Sequence, residues 1–116
     1  SILEEHAHEW FEMGRLKSSP FMSYAVPVKE EKRKQIPAVI HVDGTCRLQT
    51  VNEKQNPIYY NLIKEFYKQT NIPLILNTSF NLAGQPIVFN PAKAIDIFLS
   101  SKLRFIWFPE IEKAVV

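Results

Sequence analysis

The sequence predicts an α+β fold, a mixed β-sheet with flanking helices, and three observations carry that expectation. Short apolar, β-prone runs alternate with segments of helical periodicity in the order helix, strands, helix, strand, short strand, helix, strand. Asn-Pro occurs twice, at Asn56-Pro57 and Asn90-Pro91, and each pair sets a capping side chain before a proline suited to the first helical position. Asp43-Gly44 stands between two apolar stretches as a two-residue hairpin signal. The chain has 116 residues, 46% hydrophobic and 22% charged, which is enough to bury a core and excludes both disorder and a collagen-like repeat.

Residues 2–13 read as a helix, with Leu3, Ala7, Trp10 and Phe11 near one face, Ser1 at the cap and Gly14 as the stop. Residues 15–20 read as a loop. Residues 21–28 read as a strand whose Pro27 marks an end or an edge. The charged run at 29–34 is expected to be a solvated connector. Ala38–Val42 and Thr45–Val51 form the arms of the predicted hairpin, in which Val42 faces Thr45, Ile40 faces Arg47 and Ala38 faces Gln49. From Pro57 a helix runs to about Thr70, with Ile58, Leu62, Ile63, Phe66 and Tyr67 on its buried side. Residues 72–80 begin as an apolar strand and turn polar. Gly84 and Pro86 frame a turn, and Pro86–Phe89 is a short strand. The last helix reaches about Ser101 and buries Ala94, Ile95, Phe98 and Leu99. Residues 103–108 form a final strand, followed by a loose tail. The two Asn-Pro starts share no longer period and are not an internal repeat.

Composition narrows the function classes. A net charge of +2 is too small to argue for nucleic acid, so none is expected as a partner. No apolar run approaches the length of a membrane span, and no basic-then-apolar leader opens the chain. The single cysteine, Cys46, cannot form an internal disulfide and fits a reducing, cytoplasmic compartment. The chain opens at Ser1 directly into a helical pattern, so a piece of a longer polypeptide is expected.

Two places could carry chemistry. At the end of the 72–80 strand, Asn77, Ser79 and Asn81 would point to one side, with Thr78 and Phe80 on the other and Gly84 three residues on. Small amides and hydroxyls at a strand end suit phosphate, ribose or carbonyl oxygens, while turn chemistry alone accounts for them equally well. The second place is the stretch His41–Arg47. The guanidinium of Arg47 has a donor fork matched to phosphate or carboxylate, and its alternative is a surface cation on an exposed strand. Asp43 reads as a turn residue and Cys46 as a small core residue. His41 and Cys46 alone make a poor metal site, and His6 and His8 cannot chelate together on a helix, so no metal ligands are expected. Paired catalytic carboxylates and a phosphate-binding glycine loop are both lacking.

Three stretches then carry a resemblance. PAVIHVDGTCRLQTV (37–51), NPIYYNLIKEFYKQTNIPLILNTSFNLAGQPIV (56–88) and NPAKAIDIFLSSKLRFIWF (90–108) resemble the C-terminal region of the nodulation-type and antibiotic O-carbamoyltransferases. The opening SILEEHAHEWFE also fits that region, and residues 15–35 and 109–116 are less diagnostic. The resemblance implies a YrdC-like domain, incomplete here, that works with a Kae1-like domain or chain bearing a metal site. It implies ATP, Mg2+ and carbamoyl phosphate as reactants that form carbamoyl-adenylate, and a hydroxyl-bearing small molecule as the final acceptor. By the same resemblance Arg47 should hold carbamoyl phosphate or the α-phosphate. Ser79 and Asn81 should contact nucleotide phosphates or ribose, Gly84 belongs to the same element, and Asn77 and Thr78 are supporting contacts. Arg47 and Ser79 are thus the expected catalytic residues. The carbamate oxygen would attack the α-phosphorus of ATP, so that positioning and charge stabilisation, not a nucleophilic side chain, do the work. The family's basic segment and its Arg-Pro-Phe-Ala-Pro stretch have no counterpart here, and the chain is not expected to turn over by itself. Two other classes fit the same residues. One is a non-catalytic nucleotide- or carbamoyl-phosphate-binding module acting with a partner chain. The other is YrdC-like threonylcarbamoyl-adenylate synthesis for tRNA modification, with residues 29–34 as an RNA surface.

Overall fold

Each end of the longest helix is fixed by a side chain or a backbone conformation that the sequence announces. The computed structural model describes residues 1–116, which fall into two compact units, Ser1–Asn77 and Thr78–Val116. Helices and small two-stranded sheets share the chain, which makes it an α+β protein.

The first unit is organised around an unexpected strand. Ile2–Leu3 is extended (β1), Glu4–His6 is a 3-10 turn, and only Ala7–Trp10 is α-helical (α1). The predicted helix over 2–13 is therefore cut short at both ends, and past Trp10 the chain turns extended, with Phe11 bridging Val28. Tertiary pairing overrides the helical periodicity here: Ile2 N donates to the Gln49 carbonyl (2.9 Å), Leu3 N donates to the Pro73 carbonyl (3.0 Å), and Ile75 N donates to the Ser1 carbonyl (2.9 Å). Ser1 does not cap a helix; its hydroxyl donates to Gln49 Oε1.

β1 pairs in parallel with Thr50–Val51 (β4), in the register Ile2 to Thr50 and Leu3 to Val51. On its other side Ile2 bridges Leu74 in antiparallel fashion. Successive residues of a strand face opposite ways, and β1 uses both. Ile2 enters the larger core with Trp10, Phe11, Val26 and Leu48, and Leu3 joins Val51 and Ile63 in a smaller one. Residues 72–80 contribute this one bridge and not the strand expected of them.

Tyr24–Pro27 (β2) pairs antiparallel with Thr45–Leu48 (β3), with Tyr24 opposite Leu48, Ala25 opposite Arg47, Val26 opposite Cys46 and Pro27 opposite Thr45. The predicted hairpin thus turns at the expected place, but by three residues and not two, and its second arm pairs with another partner. Pro37–Val39 is a 3-10 turn, because Pro37 fixes its own φ and brings no donor to a ladder. Gly44 takes φ +81°, and His41 N donates to the Thr45 carbonyl (2.8 Å), so three residues separate the pair and the facings Val42–Thr45, Ile40–Arg47 and Ala38–Gln49 do not form. The charged run is not a loop either: Glu30–Gln35 is a 3-10 helix.

Helix α2, Pro57–Thr70, starts where Asn56 Oδ1 accepts from Tyr59 N (3.1 Å) and ends at Asn71, whose left-handed φ of 59° closes the last turn. It rests on the β1–β4 patch through fully buried Ile63, flanked by Tyr59, Tyr60 and Tyr67. Ile58, Leu62 and Phe66, predicted as core, remain exposed in a row four residues apart. The surface beneath it, Leu3, Val51 and half-buried Ile75, is narrow, and a single stripe of the helix covers it.

In the second unit, α3 spans Pro91–Ser100 and is capped by Asn90 Oδ1, which accepts from Lys93 N (2.8 Å). Ala94, Ile97 and Phe98 are buried, Ile95 is half-buried, and Leu99 is exposed against expectation. Residues 86–89 form no strand; Val88 N closes a loop onto the Phe80 carbonyl (2.9 Å). The tail is not loose. Ile106–Phe108 (β5) pairs antiparallel with Lys113–Val115 (β6), because Pro109–Ile111 and a left-handed Glu112 reverse the chain. No helix is long and apolar enough to cross a membrane.

Candidate functional site

The β2–β3 ribbon decides where Arg47 lies. Cys46 and Leu48 face the core, so Arg47 between them must face out. Across the ribbon it meets Ala25, which is too small to hinder the guanidinium. Arg47 makes no salt bridge and no side-chain hydrogen bond, unlike Arg33, which pairs with Glu30. A fork of donors without a protein partner is what an anion site needs.

Arg47 lines a cavity of about 220 Å³ together with His41, Asn77 and the apolar side chains of Met22, Val39 and Leu76. No carboxylate lines it. Cys46 forms part of the floor, and burial pushes its thiol upward, toward the neutral form. That agrees with a packing role for the sulfur. The chain has no group of three or more His, Cys, Asp or Glu side chains able to hold a metal ion.

Asn77 is fixed by a residue that sequence reasoning passed over. Gln49 Oε1 accepts from Asn77 Nδ2 (2.8 Å) and from the Ser1 hydroxyl, and Gln49 Nε2 donates to the Pro20 carbonyl (3.2 Å). Gln49 lies in the break between β3 and β4, where its side chain is free to reach three chain segments. The signal was present as the Gln of the QTV stretch, but a lone Gln in an apolar strand announces nothing by composition. Behind it, buried Ser19 and Thr50 lock the 15–20 loop to the strand. Ser19 N donates to Thr50 Oγ1 (2.9 Å), Ser19 Oγ donates to the Leu48 carbonyl (2.8 Å), and Thr50 N donates to the Ser19 carbonyl (2.9 Å).

The Asp43-Gly44 turn is more than a turn. Asp43 Oδ1 accepts from Thr45 N (3.0 Å) and from Thr45 Oγ1 (2.7 Å), and these bonds hold its carboxyl below the usual range. Thr45 Oγ1 also lies 3.0 Å from His41 Nδ1.

Arg47 and Asn77 are thus brought to one cavity. Thr78, Ser79, Asn81 and Gly84 belong to the second unit and form a loop, not the extended ledge expected of them. Thr78 and Ser79 are exposed with no side-chain hydrogen bond. Asn81 Nδ2 turns back to the carbonyls of Leu82 (3.2 Å) and Gln85 (3.0 Å), so its amide holds its own turn and only its Oδ1 is free. Gly84 takes φ +76°, a conformation that makes glycine the fitting residue. In the charged run, Lys32 pairs with Glu9 (3.1 Å) and lies 4.5 Å over the Trp10 ring, and Arg33 pairs with Glu30. Two of its four cations are therefore engaged within the protein.

The family model described as carbamoyltransferase C-terminus matches residues 1–113. The nodulation protein NolNO of Sinorhizobium fredii is 48% identical over 89% of this chain, and NolO of Bradyrhizobium diazoefficiens is 47% identical over 89%. Nodulation protein U of Azorhizobium caulinodans is 40% identical over 72%. The aligned part makes up 15%, 19% and 14% of those three proteins, so the chain spans a fifth or less of the curated relatives it matches.

Proposed function

Since the chain belongs to the carbamoyltransferase C-terminus family, we propose that it contributes to the activating half of an O-carbamoyltransferase, a YrdC-like portion that forms carbamoyl-adenylate. The observation that carries this reading is that Arg47, whose guanidinium has no protein partner, is among the residues lining a small cavity free of carboxylates. Such a wall favours a compact dianion, and carbamoyl phosphate is one. The volume, about 220 Å³, falls below the roughly 300–1,000 Å³ of pockets for larger ligands, so it suits carbamoyl phosphate and not a whole nucleotide.

The chemistry then divides as follows. Arg47 holds the phosphate of carbamoyl phosphate and offsets its charge. Water releases phosphate to leave carbamate, whose oxygen bonds to the α-phosphorus of ATP as the bond to pyrophosphate breaks. ATP is a substrate here. Its phosphates would bring Mg2+ with them, the usual way that ion is carried, and the residues present offer no separate carboxylate cage. The hydroxyls of Thr78 and Ser79 and the free Oδ1 of Asn81 are the groups of the second unit suited to nucleotide phosphate or ribose. Transfer to a hydroxyl acceptor falls to a Kae1-like domain or chain.

The test is pyrophosphate release from ATP, measured on the polypeptide at the full length of its relatives. Release is expected only with carbamoyl phosphate present. Release without it, or none under any condition, would refute the assignment. Nucleotide-induced thermal stabilisation without turnover would point instead to a non-catalytic binding module.

A further inference from the structure

The side chains of His41, Thr45 and Asp43 form a hydrogen-bonded row whose His41 end lines the cavity, and for a neutral imidazole the row has one consistent arrangement of protons. Ionised Asp43 can only accept. It takes both the amide proton and the hydroxyl proton of Thr45, at 3.0 and 2.7 Å. Thr45 Oγ1 has a single proton, and that proton is given to Asp43. At its 3.0 Å contact with His41 Nδ1, the hydroxyl oxygen must therefore accept. In the neutral imidazole Nδ1 then carries the hydrogen, which leaves a bare lone pair on Nε2. The Asp43 carboxylate thus sets the tautomer of a neutral His41 through the Thr45 hydroxyl, and His41 lines the same cavity as Arg47.

From this row we infer that His41 is a specificity residue that recognises the carbamoyl NH2 group by accepting a hydrogen bond at Nε2. The inference rests on the proposed carbamoyl phosphate site and adds what that site reads. Carbamoyl phosphate presents three kinds of group: a phosphate dianion, a carbonyl oxygen and an NH2 with two donors. Arg47 provides donors for the first. Among the other side chains lining the cavity, Met22, Val39 and Leu76 offer no strong acceptor, and Asn77, whose amide nitrogen is bonded to Gln49, offers its Oδ1. His41 Nε2 supplies a second acceptor, the one whose proton Asp43 places through Thr45. Acetyl phosphate has the same shape and charge but carries a methyl group where the NH2 stands. It would leave the lone pair facing a group that cannot donate. A site that hydrogen-bonds an N–H rejects the analogue lacking it more strongly than a site reading shape alone.

The experiment compares calorimetric titrations of freshly prepared carbamoyl phosphate and acetyl phosphate into the protein. The expected preference for carbamoyl phosphate is about tenfold or more. His41→Phe keeps a flat ring without the acceptor and should bring the two ligands within about threefold, by weakening carbamoyl phosphate and leaving acetyl phosphate unchanged. Thr45→Val removes the tether and should lower the preference, and 15N spectra of His41 should show the Nδ1–H form in the wild type and its loss in this variant. Both side chains lie at the surface or half-buried, so folding is not at risk. Equal binding of the two ligands by the wild type, or a preference that survives His41→Phe, overturns the role of His41 while leaving the phosphate site standing. Binding of neither ligand overturns the site itself, and the inference with it.

Discussion

Replacing Arg47 by alanine should separate binding from folding. The guanidinium is exposed, lies opposite Ala25 and holds no protein partner. Its removal leaves no buried group unsatisfied, so stability should stay within about 0.5 kcal/mol of the wild type. Hydrogen bonds to charged groups contribute about 1.5–3 kcal/mol each. The loss of one such bond to a phosphate should weaken carbamoyl phosphate binding by roughly 10- to 150-fold. Arg47→Lys keeps a positive charge and loses the planar fork, so it should fall between the two. Because the site is open to solvent, the wild-type affinity should also decline as salt is raised, and that of Arg47→Ala should decline less. Calorimetric titration with carbamoyl phosphate reads the affinity, and thermal unfolding reads the stability. A variant that binds as well as the wild type would refute the anion-holding role. A variant that loses stability with no change in binding would make Arg47 a structural residue.

Two further predictions concern the frame around the cavity. Thr50→Val is nearly isosteric but removes the acceptor for buried Ser19 N, and it should cost about 1–3 kcal/mol in urea unfolding, with a smaller loss in Ser19→Ala. Tyr60 donates to Glu5 Oε1 (2.6 Å), and that bond raises its phenol to about 12, so ultraviolet titration should show it ionising well after an ordinary tyrosine. In the unfolded chain the phenol ionises near its ordinary value, so this contribution to stability is complete below about pH 10 and fades as the pH climbs toward 12. Glu5→Gln should bring the titration back toward the ordinary value; an unmoved curve would discount the bond.

Local signals were legible in the sequence wherever a residue acts on its own backbone. Both Asn-Pro starts, the extent of α2, the turn at Gly44 and the strand ending at Pro27 were all visible, because capping, fixed φ and positive φ need no distant partner. Pairing was not legible. Whether Thr45–Leu48 meets residues 38–42 or 24–27 depends on a contact twenty residues away, and both candidates are apolar and β-prone. The same limit hid β1, whose Ile2 and Leu3 fit a helical stripe until Thr50, Val51 and Leu74 claim them. At the site, Arg47 was recognisable by its chemistry and Asn77 by its place after an apolar run. Gln49 was not, since its role consists of three bonds to segments far away in the chain. For α2 the helical period was right, but which stripe turned inward was fixed by the narrow patch beneath it, so Ile58, Leu62 and Phe66 were misplaced.

The contact between Gly44 and Arg33 has a consequence of its own. A β-carbon at Gly44 would lie 2.9 Å from Arg33 Nη2, and Arg33 is itself held by Glu30 and by the Val28 carbonyl, which accepts from its Nε (3.2 Å). Gly44 is therefore constrained by its positive φ, and the Arg33 guanidinium packs against it where a β-carbon would force that cation to move aside. The mixed-charge segment thus acts as a bed on which the His41–Thr45 loop is cast. Changes at Glu30 or Arg33 touch no wall of the cavity, yet they alter the mould that shapes one of its edges. Substitutions at these positions would surface as altered ligand choice, far from where a contact list would look for it.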